Sequence, residues 1–481
     1  MAVETARTLE VKQFIGGEWT DAADGATFED RDPYTGETVA VVPAGGAEDA
    51  RRAIEAAQAA FPEWAATPPA ARQAIFLKAA EILEGKRDDV VSMLARETGC
   101  TFGFGMFQLG FVPGLFRQAA AVPYQPMGQV IPSDHPGTLA LGIRKPVGVV
   151  GAIAPWNAAL ILSARSIAAP LALGNTVVLK PSEWSPVIGG LHWADVFAEA
   201  GLPPGVLNVV THAPGQAEPI GDELVSHPAV RRINFTGSTN VGRRLAEAAG
   251  RHLKRIVLGD ANLEYAVDAA AFGAFLHQGQ ICMSARTVLV ERSVADEFTE
   301  RLAEKAKNLK AGDPKEPDTI IGPLINEDAA ATVKGRVEDA VAKGARLLAG
   351  GEVDGNVYRA TVVANVPRDS ELAQRETFGP VVAIEVVESA EEAVERANAT
   401  TYGLSAGIIT ADVDRGFSLA QLLETGIVHV NDQPVGDEPQ MPFGGVKDSG
   451  WGRFGGQAAI DEFTELRWVT IQGGAGHPFP F

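Results

Sequence analysis

The sequence predicts an α/β fold in which a parallel, doubly wound unit is followed by a second α/β unit. Two patterns and the chain length lead there. Short apolar runs that read as buried strands alternate with helical stretches four times between Gly148 and Arg251, the pattern of a parallel sheet covered by helices. A second alternation follows Asp260 and continues to about Val430. The 481 residues exceed what one core holds, which implies several domains.

In chain order, Phe14–Ala22 (FIGGEWTDA) reads as a hairpin around Gly-Gly and Asp32–Glu37 (DPYTGE) as a turn. Helical spacing follows over Ala47–Ala60, Pro69–Glu84 and Asp88–Glu97. Strands are expected at Gly148–Ala154, Thr176–Leu179, Val206–Val210 and Arg232–Phe235. The helices between them cover Ser163–Leu173, Ser185–Ala200 and Glu218–Val225, and a further one runs to Arg251. A helix from Asp260 to Phe275, a strand at Thr287–Arg292 and an amphipathic helix at Val294–Asn308 open the second unit. Asp461–Val469 (DEFTELRWV) reads as an edge strand. Neither repeats nor low-complexity linkers mark the boundaries.

The formal charge of -20 argues against nucleic-acid or anionic-membrane partners, because phosphate binding needs clustered positive charge. Apolar stretches such as Val147–Ala154 are interrupted by Gly or Pro and fall short of a membrane span. The first residues carry acidic side chains and no long apolar run, so no signal peptide is expected. Two cysteines, Cys100 and Cys282, do not make a disulfide framework, and a reducing cytoplasm is the default. No metal site is expected.

Gln278–Met283 (QGQICM) is the sharpest local feature. A nucleophilic cysteine needs partial exposure and a positive local field; a lone cysteine is more often buried and inert, and Cys100 keeps that reading. Phe235–Ser238 (FTGS) follows a strand and opens a helix whose free amides suit an anion, or it is an ordinary strand-turn-helix join. The G-x-G-x-x-G fingerprint is absent. Leu179–Glu183 (LKPSE) offers a cation and a carboxylate at a strand's carboxyl end, a ribose site or a solvated turn. In Ala154–Asn157 (APWN) the Asn amide suits a developing oxyanion, against a plain Pro-Trp turn. Glu376–Pro380 (ETFGP) sets a carboxylate two residues from an aromatic ring, against a plain helix-to-strand loop.

In this order, and with Pro442–Gly445 (PFGG), these motifs resemble the aldehyde dehydrogenase superfamily from about Phe14 to the C-terminus. Asn431–Gly456, EFTELRW and the tail HPFPF look like the vanillin, benzaldehyde and salicylaldehyde dehydrogenases, which suggests an aromatic aldehyde. Phe102, Phe104, Phe107 and Trp451 are candidates for lining its pocket, although packing is the commoner role for any one of them.

The resemblance implies that Cys282 attacks the aldehyde carbon and that Asn157 holds the oxyanion with the Cys282 backbone N–H. Lys180 and Glu183 would hold the adenosine ribose, favouring NAD while leaving NADP open. Trp156, Gly237, Ser238 and Gly242 would lie near the pyrophosphate, and Glu376 and Phe378 beside the nicotinamide and its ribose. It also implies a Rossmann-type dinucleotide-binding domain over 1–123 and 144–257, an α/β catalytic domain over 258–440, and a small β oligomerisation element over 124–143 and 441–481. The assembly would be a homodimer or homotetramer.

One departure stands out. The family carries a segment like LELGGK whose Glu activates water for thioester hydrolysis, whereas Lys254–Glu264 reads KRIVLGDANLE. The shortfall falls between Leu258 and Gly259 and would remove the base, the Gly-Gly turn and most of a core strand, at a large cost in stability. Three accounts fit: residues omitted from a longer natural chain, a natural deletion that impairs or alters turnover, or takeover by another carboxylate, with Glu376 and Glu438 as candidates. A coenzyme A-acylating dehydrogenase and a non-catalytic scaffold are the competing functions. The intact QGQIC, APWN and ETFGP set argues against a scaffold.

Overall fold

The computed structural model describes residues 8–134, 138–237, 255–257, 260–400, 402–447, 449–450 and 452–472. Ser238, Gly242, the helix expected to reach Arg251, the Leu258–Gly259 junction, Trp451 and the HPFPF tail lie outside the described residues. Strands of the two large sheets are numbered in chain order.

The first sheet contains β1 (Gln13–Ile15), β2 (Glu18–Thr20), β3 (Val149–Ile153), β4 (Thr176–Lys180), β5 (Leu207–Val209) and β6 (Val230–Phe235), in the order β6-β3-β4-β5-β1-β2. The four central strands are parallel, and the predicted hairpin β1–β2 adds antiparallel to β5. Side chains alternate along each strand, so one sheet has two buried faces. Val149, Ile153 and Val178 meet Ala50, Ala53, Ile54 and Ala57 of helix Ala47–Ala66 and Leu224 of helix Glu218–Ser226. Val150, Ala152, Val177 and Leu179 face the other way, toward Ile167 and Leu171 of helix Ala159–Ala172. Burying each such Val, Leu or Ile contributes about 1.5–3 kcal/mol, which makes this the rigid platform of the molecule.

Strand order reverses between β6 and β3. Ligands of open α/β sheets bind at the carboxyl ends of the strands on either side of such a reversal. Here those ends are Ala154–Asn157 and Thr236–Gly237, stitched by a hydrogen bond from Thr236 N to the Ile153 carbonyl at 3.0 Å.

The second sheet contains β7 (Arg255–Val257), β8 (Thr287–Glu291), β9 (Arg346–Ala349), β10 (Thr361–Ala364), β11 (Val381–Val387), β12 (Ser405–Ile409) and β13 (Ile427–Val430), in the order β9-β10-β11-β8-β7-β12-β13. All pairs are parallel except β9–β10. Val288 and Val290 pack toward helices Leu263–Phe275 and Arg292–Lys307, and Leu289 toward helix Ala390–Asn398.

The strand-like run RIVL supplies β7: Arg255–Val257 pairs with β8 on one side and β12 on the other, at the sheet's centre. Its register also places residues 255–257 in the second sheet, although the sequence reading ended the first unit at 257. Backbone pairing across two long neighbours decided this, and local sequence carries no sign of it.

Other differences are smaller. Asp461–Phe463 closes a helix, Gly456–Phe463, before the expected strand, which runs Thr464–Gln472. That strand pairs over nine positions with Thr138–Pro146, which also pairs with Gly128–Ile131. A helix at Phe102–Ala121 was not foreseen, because four glycines and Pro113 obscure its period. Among the described residues, no helix is long and apolar enough to cross a membrane.

Candidate active site

The cysteine loop begins where helix Leu263–Phe275 ends. His277 (φ 49°) and Gln278 (φ 54°) both take left-handed backbone conformations, a strain of about 1 kcal/mol or more each that needs compensation. Gln278 supplies part of it by donating from Nε2 to the Gly99 and Pro323 carbonyls at 3.2 and 2.9 Å. Gln280 Oε1 accepts from Ile325 N at 3.1 Å. The His277 ring stacks on Phe104 at 4.6 Å. Gly279 has φ +68°, and a Cβ there would collide with the Gly379 carbonyl. The two glycines therefore let the QGQIC and ETFGP loops touch backbone to backbone.

Cys282 sits half-buried in the following turn, where Ser284 N donates to the Ile281 carbonyl at 2.9 Å. Its thiol is pushed up to about 12, first by burial and then by the carboxylates of Glu376 and Asp437, with Arg165 pulling the other way. At neutral pH the resting sulfur is therefore protonated. Cys100 is buried and free, and its thiol is also raised by burial.

Asn157 is buried beyond the end of β3, and its Nδ2 donates to the Gln280 carbonyl at 3.0 Å. The APWN turn is thus fixed two residues from the sulfur. Trp156 meets Phe378 edge-on, with ring centroids 5.7 Å apart. The ETFGP loop is held from behind. Arg286 Nη1 donates to the Arg375 carbonyl at 2.8 Å, and Arg336 donates to the Glu376 and Thr377 carbonyls. Cys282, Asn157, Trp156, Glu376 and Phe378 therefore form one cluster.

Lys180 and Glu183 form a second cluster at the end of β4. The Lys180 ammonium is buried and contacts His212, and the Glu183 side chain is partly open to solvent. Gly237 lies at the end of β6, where a Cβ would meet the Phe235 ring.

The family model for the aldehyde dehydrogenase family matches residues 19–469. The chain belongs to the aldehyde dehydrogenase family. Vanillin dehydrogenase of Pseudomonas fluorescens is 48% identical over 480 residues, covering 98% of this chain and 99% of that one. Benzaldehyde dehydrogenase [NAD(+)] of Pseudomonas putida is 44% identical, with 96% of each chain covered. The crystal structure of a salicylaldehyde dehydrogenase from Pseudomonas putida G7, complexed with salicylaldehyde, superposes with a TM-score of 0.95 at 38% identity, covering 98% of this chain and all of that one.

This aldehyde dehydrogenase also carries site residues that sequence reasoning passed over. Arg165 is buried on helix Ala159–Ala172, paired with Asp437 at 2.7 Å and flanked by the rings of Phe111 and Phe443 at 5.3 and 4.7 Å. Among the described residues its Nε and Nη1 have no hydrogen-bond partner. A lone arginine in an otherwise apolar helix was the available signal. Glu438 is exposed and accepts from Gln440 at 2.7 Å, so its neighbour Asp437 is the carboxylate that acts on Cys282. Phe104 serves as the stacking partner of His277, and Phe102 and Phe107 are exposed.

Proposed function

We propose that this enzyme oxidises an aromatic aldehyde to the carboxylic acid with NAD, through a thioester on Cys282. One observation carries the reading: the half-buried thiol sits on a loop that Asn157 ties to the switch-point crevice, with Glu376 beside it. In the first step the thiol releases its proton to solvent, sulfur attacks the carbonyl carbon, and the C=O π pair moves onto oxygen. The Asn157 amide and the Cys282 backbone N–H donate to the oxyanion. A nicotinamide bound beside Glu376 and Phe378 would supply the hydride acceptor for that carbon. The oxyanion then collapses to the thioester, and water adds to release the acid and the free thiol.

The donor set fits a dinucleotide. A buried ammonium and a partly open carboxylate stand at the carboxyl end of β4, and the Trp156–Phe378 pair stands beyond the end of β3. Lys180 and Glu183 would hold the adenosine ribose, with Gly237 and Trp156 beside the pyrophosphate and Glu376 and Phe378 at the nicotinamide end. Glu183 opposes a 2′-phosphate and supports NAD over NADP. Ser238 and Gly242 keep their proposed pyrophosphate role on sequence grounds.

The segment that carries the family's usual base reads as absent between Leu258 and Gly259. Glu376 and Asp437 are then the carboxylates near the thioester, and acyl transfer to a thiol such as coenzyme A is the second reading. The three-stranded sheet, where Trp468 is 77% exposed beside Leu466 on one face and Ile471 and Leu139 are exposed on the other, supports assembly as a homodimer or homotetramer. The two free cysteines suit a reducing cytoplasm. The three-part domain division proposed above is kept, with residues 255–257 moved to the catalytic part.

The test mixes protein, vanillin and NAD, then follows NADH and intact mass. Steady NADH without an adduct establishes complete turnover. A single burst with an acyl adduct on Cys282 establishes blocked deacylation, and acyl-CoA on adding coenzyme A establishes the second reading. Neither NADH nor adduct overturns the proposal. A kinetic panel of benzaldehyde, vanillin, salicylaldehyde and an aliphatic aldehyde then reads the substrate class.

A further inference from the structure

His212 belongs to no motif described above, yet it is almost fully buried against the ammonium of Lys180. It lies just past β5, the neighbour of β4. The segment carrying it is tightly held: Val210 N donates to the Leu179 carbonyl at 3.0 Å, and Thr211 Oγ1 donates to the Pro43 carbonyl at 2.7 Å. The His212 ring is anchored at both nitrogens. Nδ1 is 3.0 Å from the Ala213 carbonyl, which only accepts, so Nδ1 carries the proton. Nε2 is then an acceptor, and it stands 2.7 Å from Lys180 Nζ, which only donates.

An ammonium has three N–H groups. Lys180 spends one on His212 and one on the Pro181 carbonyl at 3.2 Å. One remains. The nearby carboxylate is Glu183, whose Oε2 lies 3.8 Å from His212 Nε2 and accepts from Ser182 Oγ at 3.1 Å.

We propose that His212 is a positioning residue for the cofactor: its neutral imidazole holds one N–H of Lys180 and so aims the remaining N–H at the ribose of bound NAD, beside Glu183. Burial and the charge of Lys180 push the imidazole down to about 4, which keeps it an acceptor at neutral pH. Without it, the lysine would swing among several rotamers or leave a buried N–H unpaired. The inference rests on the reading of Lys180 and Glu183 as the ribose site.

The experiment titrates the protein, without aldehyde, with NAD by calorimetry. Wild type is compared with Lys180→Met, His212→Leu and His212→Gln, each checked for folding by thermal denaturation. Leucine removes the acceptor; glutamine keeps an amide oxygen within similar reach. His212→Leu is expected to weaken the Kd for NAD about tenfold, the size of one lost hydrogen bond to a charged group. His212→Gln is expected to recover most of that. If Lys180→Met binds NAD as wild type does, the ribose-site reading falls and the inference falls with it. If Lys180→Met weakens binding while His212→Leu does not, the inference alone is overturned. Equal losses in the leucine and glutamine variants also overturn it, because the ring would then act by packing.

Discussion

Gly279 and Gly379 stand backbone to backbone, which couples the loop that carries Cys282 to the loop that carries Glu376 and Phe378 by direct contact. Gly279→Ala combines a left-handed φ of +68° with a direct clash. Left-handed backbone alone costs about 1 kcal/mol for alanine, and the clash adds to it. The variant is expected to melt several degrees lower and to lose activity far beyond that change. Thermal denaturation alongside NADH formation checks it, and a variant that melts lower with full activity would contradict the coupling.

Arg165 and Asp437 act on the thiol with opposite sign. Removing the guanidinium with Arg165→Gln should shift the alkylation of Cys282 by iodoacetamide to higher pH. Asp437→Asn should shift it to lower pH. Mass spectrometry of the modified peptide across a pH series reads both, and shifts of the same sign would show that disturbed packing dominates.

Asn157→Ala removes the side-chain donor proposed for the oxyanion. Loss of one such donor typically costs about 10²–10³ in kcat. The expected result is that fall in kcat with a much smaller change in KM for the aldehyde. A change confined to KM would place Asn157 in binding instead.

Asp30 and Glu97 form a buried carboxyl pair away from the site. Glu97 accepts from Val187 N and Ile188 N at 2.6 and 2.7 Å. Burial pushes Asp30 up to about 7, against the hydrogen bond with Glu97 and the charge of Arg96, and burial with the Asp30 charge moves Glu97 upward as well. The folded chain therefore keeps a proton that the unfolded chain releases near pH 4. Unfolding sheds protons in this window, so stability should fall as pH rises from about 4 to 7. Asp30→Asn should flatten that slope, and denaturant melts at stepped pH measure it.

Much of the architecture was legible beforehand because its signals are local. The apolar runs GVVGAIA and TVVL mark strands whichever partners they find, and each expected strand of the first sheet is present within a residue or two. The helix Phe102–Ala121 escaped because Gly and Pro blur helical periodicity, and packing against other helices stabilises it regardless. The strand-like run RIVL does form a strand at Arg255–Val257, but three residues carry no sign of which sheet they join.

The motifs also named Cys282, Asn157, Lys180, Glu183, Glu376 and Phe378 as candidates, since their chemistry is written in residue type and neighbours. Arg165, Asp437 and His212 could not be found that way. Arg165 meets a carboxylate 272 positions away, and His212 meets Lys180 across 32. By itself, then, the amino-acid sequence determined the α/β class, the family and the order of the loops around Cys282. Tertiary structure alone decided which charges face the sulfur, which nitrogen of His212 holds Lys180, and that Arg255–Val257 completes the second sheet. The reason is physical: strand and turn preferences act over a few residues, whereas burial, hydrogen-bond partners and electric fields arise only when distant segments are packed together.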